Sequence, residues 1–381
     1  MTPGPTEVSE RVMRALVRPA MLHYDPRAFE VFDDTCHMLG KIFQSDGDVV
    51  LLPGSGRTGM EAVVTSTIEP GDKVLSIVSG VFSEWFKTIV ERVGGIPTEV
   101  RFDYGKPIDV NMVKEKLHED DFKAVTLVHN ETSTGVTNPA DKVGEVVKES
   151  NALFILDCVS SLGGIPVDAN DWKVDLCFSA PQKCLGALLG LSIISVNRRA
   201  WDAMERRKKA STSYTLDLLR WKQIFLGAKL PRPYPVLVPP HLVFALNEAL
   251  KEVFDEGLEQ RYKRHEAAAS AMRNGIRALG LGPFADESVA SNTVTAINVP
   301  IGLSDSDVLK SMRDRYGVVG AGGMGSLRGK TMRFGHMAHT AREVCIIRAL
   351  SALEMALMEL KQPSKCGVGV VAARRAYETR P

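Results

Sequence analysis

The chain has few cysteines for its 381 residues, six in all, and no two of them stand as C-x-x-C. Cys36, Cys158, Cys177, Cys184, Cys345 and Cys366 are scattered, several among apolar neighbours where a thiol behaves as a small hydrophobe. That spacing speaks against a disulfide framework and against a zinc site. No sign of charge dominates: 47 Lys and Arg face 46 Asp and Glu, a formal net charge of +1. A dedicated nucleic-acid binder carries a basic excess, and Trp85, Trp172, Trp201 and Trp221 show no stacking pattern for bases. Long hydrophobic runs are missing as well. In the middle of the chain the longest uncharged stretch, residues 184–196, has 13 residues including two glycines. A bilayer span needs roughly 20 apolar residues. Residues 1–20 hold Glu7, Glu10, Arg11, Arg14 and Arg18 in place of an apolar leader core, and the final Glu-Thr-Arg-Pro is no peroxisomal tripeptide. No internal repeats or low-complexity segments appear. These absences predict a soluble cytoplasmic protein with no membrane and no nucleic-acid partner.

What is present is ordinary globular usage, 44% hydrophobic and 24% charged, at a length above the size where one core stops growing. From residue 48 to about 197, short apolar strands alternate with amphipathic helices. Strands are expected at 49–52, 73–78, 97–100, 124–129 and 153–156, and helices at 58–68, 83–93, 110–117 and 139–150. Such alternation specifies βαβ units and a mostly parallel sheet between helices. Residues 176–179 and 191–196 then read as a close pair of strands in the same sheet. The proline-rich run 231–240 ends this region. A long helical pattern over 241–279, broken near Gly257, leads into a smaller α+β part. Its expected elements are strands at 294–299, 318–319 and 331–334 with helices at 305–316 and 341–361. Residues 363–381 read as a loosely held tail.

Two segments match G-x-G-x-x-G. The second, Gly320-Ala-Gly-Gly-Met-Gly325, precedes a basic, extended stretch instead of a helix and reads as a turn between strands. The first, Gly54-Ser-Gly-Arg-Thr-Gly59, lies between a strand and a helix, where unpaired N–H groups and the helix dipole make an anion site. Dinucleotide binding also needs an acid at the end of the next strand, about 20 residues on. That strand ends in Ser79-Gly80-Val81-Phe82, without a carboxylate. With Arg57, Ser55 and Thr58 in the turn, the loop reads as a cup for a phosphate monoester.

Asp157 closes the apolar run Phe154-Ile-Leu-Asp157, where an acid is costly unless it meets a cation. Lys183 follows Ser-Ala-Pro-Gln among small and apolar residues. A lysine so placed either snorkels to water or, partly desolvated, has a lowered pKa and can form a Schiff base. A phosphate cup, such a lysine and a buried acid together describe a site for pyridoxal 5'-phosphate, whose ring accepts electrons while its nitrogen stays protonated.

Those residues, together with Thr2-Pro-Gly-Pro-Thr6, His129-Asn-Glu-Thr-Ser-Thr-Gly-Val136, Asp157-Cys-Val-Ser-Ser-Leu-Gly-Gly164, Ser179-Ala-Pro-Gln-Lys183 and Met332-Arg-Phe-Gly335, run in one order over nearly the whole chain. In that order they resemble the class V group of fold-type I aminotransferases, the alanine–glyoxylate and serine–pyruvate family. The resemblance implies an α/β fold-type I architecture and an obligate homodimer with active sites at the subunit interface. It divides the chain into an N-terminal segment (1–17), a large cofactor domain (18–250), a small domain (251–362) and the tail. By motif position, Lys183 would bind the cofactor as a Schiff base and Asp157 would pair with its ring nitrogen. Ser55, Gly56 and Arg57 fall on the phosphate loop and Gln182 on a phosphate contact. Thr132 falls near the ring oxygen, and Phe82 where the family stacks an aromatic on the ring. Arg333 matches the clamp on the substrate carboxylate, and Tyr234 a phosphate contact from the neighbouring subunit. Leu237 departs from the Thr usual three residues past that Tyr, which puts one cross-subunit hydrogen bond in doubt.

Two bland assignments stand beside these: His336 and His339 form H-x-x-H without an acidic helix to support a metal, and Glu61 reads as a helix-face carboxylate. The expected activity is amino transfer from alanine or serine to glyoxylate or pyruvate. Ureidoglycine–glyoxylate and pyridoxamine–pyruvate transfer are alternatives, since His23-Tyr-Asp-Pro26 and Lys183-Cys-Leu-Gly186 look like those relatives. The phosphate loop argues against the pyridoxamine type. An NAD oxidoreductase lacks its acid, and a non-catalytic binding protein has no need of both Lys183 and Asp157.

Overall fold

The computed structural model describes residues 1–381 except 20, 23, 227, 229–231, 363–365 and 379–381, so His23 and Pro231 of the stretches above lie outside the described residues. The strands, in chain order, are β1 (Asp48–Gly54), β2 (Lys73–Val78), β3 (Ile96–Arg101), β4 (Ala124–Val128), β5 (Asn130–Glu131) and β6 (Val136–Thr137). They continue with β7 (Leu153–Asp157), β8 (Leu176–Ser179), β9 (Gly190–Val196), β10 (Val294–Asn298), β11 (Ala321–Gly322) and β12 (Thr331–Gly335). Seven of them make one sheet in the order β1-β9-β8-β7-β4-β2-β3, while β5 and β6 form a short hairpin. β10, β12 and β11 form a second, antiparallel sheet.

The central strands β4 and β7 are buried along their whole length. Ala-Val-Thr-Leu-Val and Leu-Phe-Ile-Leu-Asp are near-continuous apolar runs because helices cover both faces of a parallel sheet. β9 alone runs against its neighbours, pairing with β8 on one side and β1 on the other. The expected close pair is therefore antiparallel, and it joins β1 to the parallel strands. β1, β2, β4, β7 and β8 all point the same way, so their carboxyl ends open along one edge, where ligands of open α/β sheets bind. One hydrophobic cluster lies within residues 12–253 and a second within 268–373. The helices Pro240–Glu256 and Leu258–Ala278 meet at Gly257, whose φ of 81° no β-carbon residue adopts easily.

Two expectations are corrected. Residues 318–319 are not a strand: Gly317 (φ 62°) turns the end of helix Asp305–Tyr316 back on itself, and the Val318 N–H is taken by the Met312 carbonyl. The strand comes three residues later, as β11. The segment read as a loose tail carries the helix Val368–Glu378, with Gly369 and Ala373 buried. Its first turn is held by the buried Glu354 carboxylate, which accepts the N–H groups of Gly367, Gly369 and Val370 at 2.9, 2.7 and 3.3 Å. Proline and arginine suggested a tail; the Gly369/Ala373 spacing, one face of a helix, was the stronger signal. No helix among the described residues is long and apolar enough to cross a membrane.

Candidate active site

Segments from across the chain reach one cavity of about 530 Å³ at the carboxyl edge of the large sheet. After β1, Ser55 is extended and its N–H donates to Thr58 Oγ1 at 3.0 Å, which sets the turn into helix Gly56–Thr67. The opening N–H groups of a helix have no partner within it and point outward. A methyl group on Gly56 would come within 2.6 Å of the Val159 side chain, so only glycine lets this turn lie against the Asp157 loop. Arg57 is exposed at the rim, its guanidinium 4.4 Å from the Trp85 ring centroid. Phe82, in the first turn of helix Val81–Arg92, meets Trp85 edge-on at 5.0 Å.

β7 delivers Asp157. One carboxylate oxygen accepts the Val159 N–H at 2.8 Å, and the other makes no hydrogen bond among the described residues. Burial pushes this carboxyl up to about 7, with the negative charge of Glu131 adding and the Val159 N–H and Lys183 opposing. Lys183 sits in the turn after β8, and its Nζ donates to the Pro3 carbonyl. Burial pushes its amine down to about 8; Arg333 works in the same direction, Cys184 and Asp157 against it. Beside it, Gln182 is buried with its side-chain Oε1 unpartnered.

Thr132 follows β5; its hydroxyl donates to Ser160 Oγ at 2.7 Å and its carbonyl accepts Arg333 Nη1 at 3.3 Å. Arg333, on β12, also donates Nε to the Gly322 carbonyl at 3.0 Å, while Nη2 makes no hydrogen bond among the described residues. Burial lowers this guanidinium to about 10, opposed by Glu131. Ser55, Gly56, Arg57, Phe82, Thr132, Asp157, Gln182, Lys183 and Arg333 thus all line the same cavity. Tyr234 does not. It stacks on Phe29 at 5.7 Å and packs against Phe225 at 4.9 Å, away from the Lys183 of its own chain. A larger hollow of about 700 Å³ beside Phe32, Phe225 and Arg232 contains none of the cavity's residues. His336 is buried between Thr295 Oγ1 and the Asn292 carbonyl, a core histidine.

Sequence reasoning gave no role to the N-terminal strap. Thr2, Pro3, Gly4 and Pro5 wall the cavity, held because Gly335 donates its N–H to the Met1 carbonyl at 2.9 Å and Thr6 donates to the Gln182 and Met337 carbonyls at 2.9 and 3.0 Å. The repeated Pro and Gly of Thr2-Pro-Gly-Pro-Thr6 were a signal of a shaped, extended segment.

The cavity fits pyridoxal phosphate by its own chemistry. A helix N-terminus with Arg57 suits a phosphate, and the buried Gln182 Oε1, an acceptor without a partner among the described residues, can take a donor from a bound group. Lys183 is an amine of lowered basicity, and Asp157, which lines the cavity, keeps one carboxylate oxygen with no hydrogen bond among the described residues.

Fold and site define a fold-type I enzyme with a cavity suited to a pyridoxal cofactor. The model of the family "Aminotransferase class-V" matches residues 9–344. An aminotransferase of Methanocaldococcus jannaschii is 40% identical over 361 residues, 94% of this chain and 92% of that protein. The serine–glyoxylate aminotransferase of Methylorubrum extorquens is 31% identical and covers 100% of this chain and 96% of its own. Among solved structures, the ureidoglycine–glyoxylate aminotransferase of Bacillus subtilis superposes with a TM-score of 0.95 at 32% identity, over 100% of this chain and 97% of that one. The pyridoxamine–pyruvate aminotransferase of Mesorhizobium loti gives 0.94 at 33%, over 99% and 96%. The chain belongs to the class V aminotransferases, and is a pyridoxal-phosphate-dependent aminotransferase.

Proposed function

We propose that this enzyme moves an amino group from alanine or serine to glyoxylate or pyruvate, with Lys183, Asp157 and Arg333 as its working residues. The observation that carries the reading is their convergence: an amine near pKa 8, a buried acid and a half-satisfied guanidinium line one cavity. The bound cofactor supplies an electron sink for the pair left when the substrate α-proton departs. Lys183 Nζ, which gives up its proton more readily than an exposed lysine because burial lowers its pKa to about 8, takes the substrate proton in its neutral form and returns it, acting as base and then as acid. Asp157 holds a proton-bearing ring nitrogen through its unpartnered oxygen. Its burial-raised carboxyl ionises readily once a cation arrives. Arg333 receives the substrate carboxylate on Nη2 while Thr132 and Gly322 fix its other nitrogens, a preorganised clamp. Ser55, Gly56, Arg57 and Gln182 take the phosphate, and Phe82 and Thr132 line the ring.

Ureidoglycine as donor is the second reading, supported by the Bacillus subtilis likeness; pyridoxamine–pyruvate transfer is disfavoured by the Arg57 loop. The working form is a homodimer in which Tyr234 reaches the partner's phosphate site. Leu237, 54% exposed three residues further on, supports this, as an apolar side chain suited to a subunit contact. Residues 18–250 and 251–362 act as the large and small domains, and six free thiols suit a cytoplasmic setting. A panel of alanine, serine and ureidoglycine with glyoxylate and pyruvate tests the assignment: alanine or serine must turn over faster than ureidoglycine, and the opposite order replaces the first reading by the second.

A further inference from the structure

Glu131 is fully buried on β5, and its carboxylate accepts five hydrogen bonds. Two come from the backbone N–H groups of Phe82 (3.3 Å) and Ser83 (3.1 Å), one from the Ser83 hydroxyl (3.3 Å), and two from the Ser133 N–H (3.2 Å) and hydroxyl (2.5 Å). That many donors favours the ionised form although burial pushes the carboxyl up. The carboxylate also sits at the positive end of helix Val81–Arg92, whose second and third residues are Phe82 and Ser83.

A helix can be capped more cheaply from its own N-cap position. That position is Gly80, and a methyl group there would come within 2.3 Å of the Glu131 side chain. Ser83 Oγ already accepts the Ser79 and Gly80 N–H groups, each at 3.0 Å. The cap therefore comes from a separate element, the β5–β6 hairpin, whose next residue is Thr132. The Thr132 carbonyl is the one that holds Arg333 Nη1. One buried carboxylate thereby ties the backbone of the ring-face aromatic to the element that braces the substrate clamp.

We propose that Glu131 is a positioning residue which fixes Phe82 against the cofactor ring. This rests on the stacking role given to Phe82 above. The test is a double-mutant cycle on cofactor affinity, measured by titrating cofactor-free protein with pyridoxal phosphate and following tryptophan fluorescence. Phe82→Leu and Glu131→Gln should each weaken binding about tenfold, the loss of roughly one charge-assisted or stacking interaction. The double variant should be no weaker than the weaker single variant, because Glu131 acts through Phe82. Wild-type affinity in Glu131→Gln, or a double variant weakened by the product of the two, about a hundredfold, overturns the proposal alone. Wild-type affinity in Phe82→Leu overturns the stacking reading and the proposal with it. Should Glu131→Gln fail to fold, Ser133→Ala, which removes a donor to Glu131 together with the acceptor of the Val81 N–H (3.0 Å), enters the same cycle: weakening that is not additive with Phe82→Leu supports the proposal, additive or absent weakening overturns it.

Discussion

Replacing Lys183 by Met should stabilise the cofactor-free protein while abolishing its activity. Burial holds the Lys183 amine at about 8 instead of its usual 10.5, and a drop of that size corresponds to about 3 kcal/mol. The amine keeps some contact with cavity water, and methionine leaves the Pro3 carbonyl without its donor, a loss of about 1 kcal/mol. A net gain of about 2 kcal/mol at pH 7 remains. The pH dependence carries the sign. A folded pKa below the unfolded one means that the contribution of Lys183 is fully favourable only above 10.5 and is lost as pH falls through about 8. The advantage of Lys183→Met is therefore largest at pH 7 and shrinks as pH rises from 8 towards 10.5. Urea unfolding of both proteins without cofactor, at matched concentration and at pH 7, 8.5 and 10, measures this. A variant no more stable than wild type at pH 7, or a gap that does not narrow with pH, refutes the claim that the fold holds this amine against its charge. The same variant should retain phosphate binding at the Ser55–Arg57 turn and lose turnover by several orders of magnitude, since methionine is neither nucleophile nor base.

Borohydride reduction of the holoenzyme followed by peptide mapping should place the cofactor on Lys183; an adduct on the exposed Lys208 or Lys209 sinks the assignment. Arg333→Ala should raise the Michaelis constant for amino acids by the equivalent of about 2–5 kcal/mol while cofactor content stays at the wild-type level. Unchanged kinetics with alanine would put the substrate carboxylate elsewhere. Sedimentation of the holoenzyme should show a dimer at every concentration where cofactor is held, and an active, loaded monomer would remove Tyr234 from the site.

Much of the fold was legible because burial leaves a simple trace. Parallel strands covered on both faces, such as β4 and β7, read as apolar runs, and the end of helix Asp305–Tyr316 was marked by Gly317. Where polar requirements were met from far away, local pattern failed. Helix Val368–Glu378 depends on Glu354, a buried acid in another helix, and on a close crossing of Gly369 with Gly275, far away in the chain. Glycine marks that Val318 does not continue the chain outward, but propensity alone made it a strand. In the site, Lys183, Asp157 and the Gly54–Gly59 turn each stood at a strand end in the sequence and meet in the cavity. Glu131 was quoted within its motif without a role, because its five donors come from residues up to 49 positions away.

Three ionisable groups among those lining the cavity, and the buried Glu131 outside its lining, explain why the missed residue differs from the ones that were found. Asp157, Lys183 and Arg333 are all displaced towards neutrality by burial, and each keeps an atom that has no partner among the described residues or only a backbone carbonyl. Such groups are costly in an empty cavity, and the proposed reaction would offer each a complement: a ring N–H for Asp157, an aldehyde for Lys183, a carboxylate for Arg333. Their cost is relieved by what binds, so they appear in the sequence as charges with no visible reason to be there. Glu131 is different, because the protein itself satisfies it on every side. A charge so completely answered does not bind a ligand; it holds geometry. That division separates the residues expected to change chemistry when altered from the one expected to change where Phe82 lies.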